Sequence, residues 1–260
     1  MNKSFEIKGY INNVLKEIGL EGADAFDKAL LLNALGKIEA AEHSDEYKGI
    51  IAGELEKLIQ DNTISMGENN LVNFMYGNAC YSVGKNETAV NIAKQTETQP
   101  RNEAGYFTDD SGNKCLCTAF KALSFYMNYE TKDGGKEHYN DIIAQYNALY
   151  NDCFEDVSKA AREGDSKAVK ALAFFAAGAV DTLEVMDQAL YEIFARIRDI
   201  FKQTISVLNE TVDSADSEAI KLIYAYAVLK GCRMKLIQTE KYAPKGINVE
   251  NWFIECYRKH

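Results

Sequence analysis

Apolar residues recur at steps of three and four along almost the whole chain, and alternating apolar–polar runs are scarce. That period belongs to helices rather than strands. Together with the helix-breaking positions, it predicts helices over 4–18, 24–41, 45–60, 69–83, 87–98, 115–130, 136–153, 166–186, 188–208, 217–236 and 249–258. Breaks fall at 19–22, 62–68, 84–86, 100–113, 133–135, 164–165, 213–216 and 243–246. Only two prolines occur in 260 residues, so the commonest interruption of such helices is nearly absent.

The predicted helices are of two kinds. Residues 168–180, AVKALAFFAAGAV, are apolar on nearly every face, and so are 219–229, AIKLIYAYAVL. A helix apolar all round is buried on all sides. Between them, Leu190, Phe194, Ile197, Phe201, Ile205 and Leu208 make one apolar stripe, while Arg196, Arg198, Asp199 and Lys202 fill much of the remainder. A buried helix, a half-wet helix and a second buried helix follow in order. Concentric layers of helical hairpins produce that alternation; a simple four-helix bundle would make every helix amphipathic. No tandem repeat, low-complexity segment or interdomain linker stands out, so one all-α domain over 1–260 is expected.

Composition changes this picture little. Hydrophobic residues are 47% and charged residues 26%, ordinary values for a soluble globular protein. The formal net charge of -10 disfavours nucleic acid, whose phosphates demand clustered Lys and Arg. No stretch approaches the roughly 18 apolar residues of a membrane span, and the first residues lack the apolar core of a signal peptide. A cytoplasmic protein with no membrane partner is expected. Of the six cysteines, only Cys115 and Cys117 are closely spaced, and no CxxC occurs. They read as free thiols in a reducing compartment, with no metal and no cofactor expected.

The stretch from Asn70 to Phe107 holds Tyr81 and Gly84, a helix, then Gln99-Pro100-Arg101, Gly105, Tyr106 and Phe107. This resembles the unsaturated glycuronyl hydrolases, glycoside hydrolase families 88 and 105. Three further stretches match in family order. They are FKALSFYMNYETKDGGKEHYNDIIAQY from Phe120, AAGAVDTLEVM from Ala176, and LIYAYAVLKGCRMKLIQTEKYAPK from Leu222. Together they span roughly two thirds of the chain. The resemblance implies an (α/α)6 toroid, which agrees with the layering read from periodicity. It also implies an acidic oligosaccharide as partner, and an aspartic acid that protonates the double bond of an unsaturated uronic sugar while water adds beside it. Such an acid needs a raised pKa near neutral pH.

Residue by residue, the chain departs from that pattern. Where the family carries an Asp at the next helix start, this chain has Cys117 or a near neighbour. Thr108 stands in place of a His after the aromatic pair. Asn69 or Asn70 replaces a second Asp, and an amide does not titrate. Between Tyr150 and Ala168 the family carries a long Trp-rich segment that walls the sugar; here only NDCFEDVSKAAREGDSK intervenes.

The remaining candidates follow from the chemistry. Asp109 and Asp110 are the carboxylates beside the aromatic pair and the candidates for a relocated acid; the same residues, with Ser111 and Gly112, also read as a solvated turn. Arg101 is the candidate for holding a sugar carboxylate, or else it pins the Pro100 turn through carbonyls. Tyr106, Phe107, Asn69 and Asn70 complete the expected sugar contacts. The sequence reads as a degenerate, weakly active or non-catalytic sugar-binding relative of these hydrolases. A helical interaction module is the alternative, and a homo-oligomer stays open.

Overall fold

A computed structural model describes residues 23–61, 64, 70–108 and 114–238. The predicted helices 4–18 and 249–258 lie outside the described residues. All regular structure among the described residues is helical. These residues gather into two compact units, one of 23–61, 64 and 72–94, the other of 70–71, 95–108 and 114–238.

The first unit contains α1 (Ala25–Glu42), α2 (Lys48–Gln60), α3 (Leu71–Ser82) and α4 (Asn86–Ala93). Asp24 starts α1 by accepting the Asp27 amide at 2.8 Å, which satisfies one of the orphan donors of a helix start. The α1–α2 turn closes on buried Glu39, whose carboxylate accepts from the Tyr47 amide at 2.7 Å and the Ser44 hydroxyl at 3.1 Å. Leu32, Leu35, Ile51, Leu55 and Phe74 are fully buried. Asn33 reaches the Met75 carbonyl at 3.0 Å and Tyr76 the Ala25 carbonyl at 2.7 Å, which fixes α1 on α3.

The second unit begins with a 3-10 turn and the loop from Gln99. A π-helical turn, Ala119–Leu123, then leads into α5 (Ser124–Lys132), followed by α6 (Tyr139–Arg162), α7 (Ser166–Val185), α8 (Tyr191–Thr211) and α9 (Glu218–Arg233). Helix α7 packs against the π turn and against α5, α6, α8 and α9. It is the enclosed helix that its all-round apolar sequence predicts. Gly178 sets the closest approach: a Cβ there would meet the Phe120 nitrogen at 2.5 Å. Helix α8 buries Ile197, Phe201, Ile205 and Leu208 and leaves Asp199 exposed, as its stripe predicts. Leu190, the first residue of the expected stripe, instead precedes the helix and is 36% exposed. Helix α9 is wetter than expected at its start, where Leu222 is 42% exposed.

Two boundaries differ from the sequence reading for local reasons. The helix expected to stop at Cys153 runs on to Arg162, because no Gly or Pro interrupts residues 154–163. It ends at Gly164, whose φ of +94° only glycine adopts freely. The Gly164 amide donates to Ala161 O and the Asp165 amide to Ala160 O, a Schellman closure. Asp165 then starts α7 by accepting the Lys167 amide at 2.8 Å. The helix expected from residue 115 begins three to four residues later, in the π turn, which carries extra residues per turn.

Candidate functional site

The loop from Gln99 to Thr108 folds back on itself. Arg101 and Phe107 form an antiparallel bridge, and the Thr108 amide donates to Pro100 O at 2.9 Å. The Gly105 amide donates to Asn102 O at 2.9 Å and to Asn102 Oδ1 at 3.0 Å; glycine is required there because φ is +94°. Gln99 is buried and donates to Thr108 O at 2.6 Å. The loop is thus shaped by its own backbone and by two side-chain amides.

Helix α6 anchors the loop from one face. Arg101 Nη1 and Nη2 donate to the two Asp141 oxygens at 2.6 and 2.8 Å, a bidentate pair. Nη1 also donates to Gly105 O at 3.1 Å, and the guanidinium lies 4.6 Å above the Phe107 ring. Burial pulls the Asp141 carboxyl up, but the hydrogen bonds and charge of Arg101 outweigh it and hold the group below the usual carboxylate range. One turn on, Gln145 accepts from the Phe107 amide at 3.0 Å and donates to Asp141 at 3.1 Å. Farther along, Asp152 accepts from the Tyr106 hydroxyl at 2.8 Å and from Lys114 at 2.9 Å. The Tyr106 hydroxyl also lies 3.4 Å from Cys153 Sγ.

The candidates from sequence therefore fall into three groups. Arg101, Tyr106, Phe107 and Thr108 come together on this loop. Tyr106, Phe107 and Thr108 are buried. The Phe107 ring meets that of Tyr126, with centroids 5.9 Å apart and planes tilted by 34°. Arg101 pins the turn through Gly105 O, and the carboxylate it holds is Asp141 of this same chain. Asn70 is exposed just before α3. Asp109, Asp110 and Asn69 lie outside the described residues.

Cys117 stands in the segment tied to the loop by Thr118, whose hydroxyl donates to Phe107 O at 3.3 Å. Hydrogen bonding with Cys115, together with burial, pushes the Cys117 thiol well above its ordinary value. A thiol so held stays neutral and releases its proton poorly, which is the opposite of a general acid for neutral pH. Cys80, Cys115, Cys117, Cys153 and Cys232 form no disulfide. Among the described residues, no group of three His, Cys, Asp or Glu is placed to hold a metal ion. No helix among them is long and apolar enough to cross a membrane.

Periodicity did not reveal a second polar cluster inside this unit. Lys230 of α9 is fully buried; its ammonium donates to Asp181 at 2.5 Å and pairs with Glu184, both on α7. The Tyr226 hydroxyl donates to Asp181 at 2.5 Å, and Arg233 pairs with Glu184 at 2.7 Å. Burial alone would lower the Lys230 pKa, but the flanking acids more than reverse it, so the amine stays cationic. It joins two helices and is no nucleophile. The i, i+3 spacing of Asp181 and Glu184 on an otherwise apolar helix was the available signal.

Beside the loop lies an open depression of about 590 Å³, lined by Ala104, Ala144 and Ala148 and by the polar Asn147, Asn151 and Asp152. Asn147, Asn151 and Asp152 can hydrogen-bond sugar hydroxyls, and no lysine or arginine stands among the described lining residues.

No family model matches the chain, and no curated protein matches it. A solved structure does: a C. acetobutylicum ATCC 824 glycoside hydrolase from family 105, with a TM-score of 0.67 and 15% sequence identity. The match covers 94% of this chain and 81% of that one. The likeness shows the fold. The chain has the all-α architecture of that hydrolase, an (α/α)6 toroid, as expected from the layering and from the resemblance.

Proposed function

We propose that this chain is a distant relative of the unsaturated glycuronyl hydrolases that binds an oligosaccharide through its hydroxyls without hydrolysing it. One observation carries the proposal. The frame of the expected sugar site persists as the Gln99–Thr108 loop, while the chemistry it should present is neutralised internally. Arg101 is clamped by Asp141. The position expected to donate a proton is Cys117, a thiol held in its neutral form. Neither group can protonate a vinyl ether at neutral pH. The fold likeness supports a carbohydrate partner.

The test uses unsaturated uronide oligosaccharides prepared from pectin and from glycosaminoglycans. Calorimetry with the full chain should show binding. The conjugated-enoate absorbance of the same ligands should stay constant over hours of incubation. Turnover would overturn the proposal, and its loss in an Asp109→Asn, Asp110→Asn double variant would assign the reaction to relocated carboxylates. Absence of both binding and turnover would leave the helical interaction module as the reading.

A further inference from the structure

Between helices α6 and α8 lies a groove of about 370 Å³, lined by Tyr150, Phe154, Ser158 and Arg162 of α6 and by Val207 of α8. The four α6 residues follow at steps of four and so form one stripe on that helix. Their side chains differ in chemistry, and each contributes something that a ligand site needs.

Tyr150 and Phe154 stack with centroids 4.6 Å apart and planes 20° from parallel. Arg196 of α8 lies 5.3 Å from the Tyr150 centroid, and the Tyr150 hydroxyl donates to Gln203. Tyr150 is thus locked in place, and it holds Phe154 as a rigid platform at the groove. Order obtained before binding is order that a ligand need not impose. Deeper along the stripe, Ser158 is only 3% exposed, and its hydroxyl has no hydrogen-bond partner in the protein. A buried hydroxyl without a partner is uncommon in a folded protein and points to a ligand or solvent group that completes it. Asn151 and Glu155, both exposed, add an amide and a carboxylate at the rim.

We propose that this groove between α6 and α8 binds a neutral pyranose ring. A pyranose has an apolar C–H face and a belt of hydroxyls around its edge. The Phe154 ring supplies the electron-rich surface for the C–H face. Ser158, Asn151 and Glu155 supply donors and acceptors for the hydroxyls. The charges select a neutral ligand: Arg162 is already paired with Glu210 at 3.0 Å, and Glu155 repels an anion. The groove shares only Asn151 with the depression beside the Gln99–Thr108 loop, and the inference does not rest on the function proposed for that loop.

Saturation-transfer NMR on the full chain, with maltose, cellobiose and lactose as separate probes, tests the site. At least one should receive transfer to its ring protons. Phe154→Ala should weaken that signal about tenfold, as removal of a central aromatic contact does. The variants Asn151→Lys and Glu155→Lys, both at exposed positions, should also weaken it, so the test survives if Phe154→Ala fails to fold. Arg101→Ala should leave the signal unchanged. Absence of transfer to all three sugars overturns the proposal, and so does transfer that Asn151→Lys and Glu155→Lys leave intact.

Discussion

Gly178→Ala places one methyl group where α7 meets the backbone of the π turn, and its cost can be worked from distances. The added Cβ would lie 2.5 Å from the Phe120 nitrogen, 2.6 Å from the Ala119 carbonyl carbon and 2.8 Å from the Ala119 oxygen. Non-bonded carbon contacts sit near 3.5 Å, so α7 and the π turn would have to part by roughly 1 Å. All three neighbours are backbone atoms, and none can rotate away. Overpacking of this kind costs about 1–3 kcal/mol, and a full backbone displacement belongs at the upper end. The better helix propensity of alanine returns about 1 kcal/mol, leaving a net loss of roughly 2 kcal/mol. Gly53→Ala is the control: nothing lies within 4 Å of its Cβ, so the propensity gain stands alone and stability should rise by up to about 1 kcal/mol. Urea titrations followed by circular dichroism read both. At an m-value of about 2–3 kcal/mol/M, Gly178→Ala should lower the midpoint by roughly 0.7–1 M with m unchanged. The displaced turn follows directly on Cys117, so that thiol should also become quicker to alkylate. A Gly178→Ala protein as stable as the wild type, with the same m, would refute the close approach.

Three further predictions concern charge and thiols. Lys230→Met leaves Asp181 and Glu184 facing an apolar side chain; because both carboxylates keep some solvent contact, the loss should lie near the lower end of the range for a broken buried pair, about 3 kcal/mol, seen as a Tm drop of roughly 10 °C. A drop below about 3 °C would mean that the carboxylates are rehydrated at no cost. Asp141 is held below its unfolded value of about 3.9, so its pairing with Arg101 stabilises the fold above that pH and is lost as pH falls through the lower folded value. Asp141→Asn should therefore cost up to about 1 kcal/mol at pH 7, discounted for solvent screening of the pair, and the gap to wild type should close below pH ~4; a gap independent of pH would exclude the ion pair. Burial pushes the Cys80 thiol up to about 12, and Cys117 is raised by Cys115 and burial, so iodoacetamide at pH 8 should modify both at least about tenfold more slowly than a free cysteine, as peptide mass spectrometry would show. Rapid labelling of either in the folded protein would contradict that environment.

The layering of helices was legible because it is a matter of period. The run AVKALAFFAAGAV has no polar face to offer solvent, and α7 indeed packs against neighbours on several sides. The amphipathic stripe of α8 identified its buried face residue by residue from Ile197 onward. Tertiary pairing was not legible. Arg101 and Asp141 are 40 positions apart, and nothing local distinguishes this arginine, bound to its own chain, from one open to a sugar acid. Tyr106 and Phe107 read as sugar contacts, and nothing local announces that Gln145 and Asp152 of another helix bond to them. The π turn escaped because its period matches neither helix nor strand. Lys230 escaped because a lysine near a helix end ordinarily reaches water, whereas here two acids from α7 meet it inside.

The corner at Gly164 and Asp165 joins two long helices by backbone hydrogen bonds and a single carboxylate, and both residues are exposed. Closing a flexible insert of a dozen residues there would cost only roughly 2 kcal/mol in loop entropy. The corner is therefore a natural grafting port: new chain can be spliced in beside the enclosed helix without rewriting the core, and a recognition loop placed there could be exchanged as a cassette.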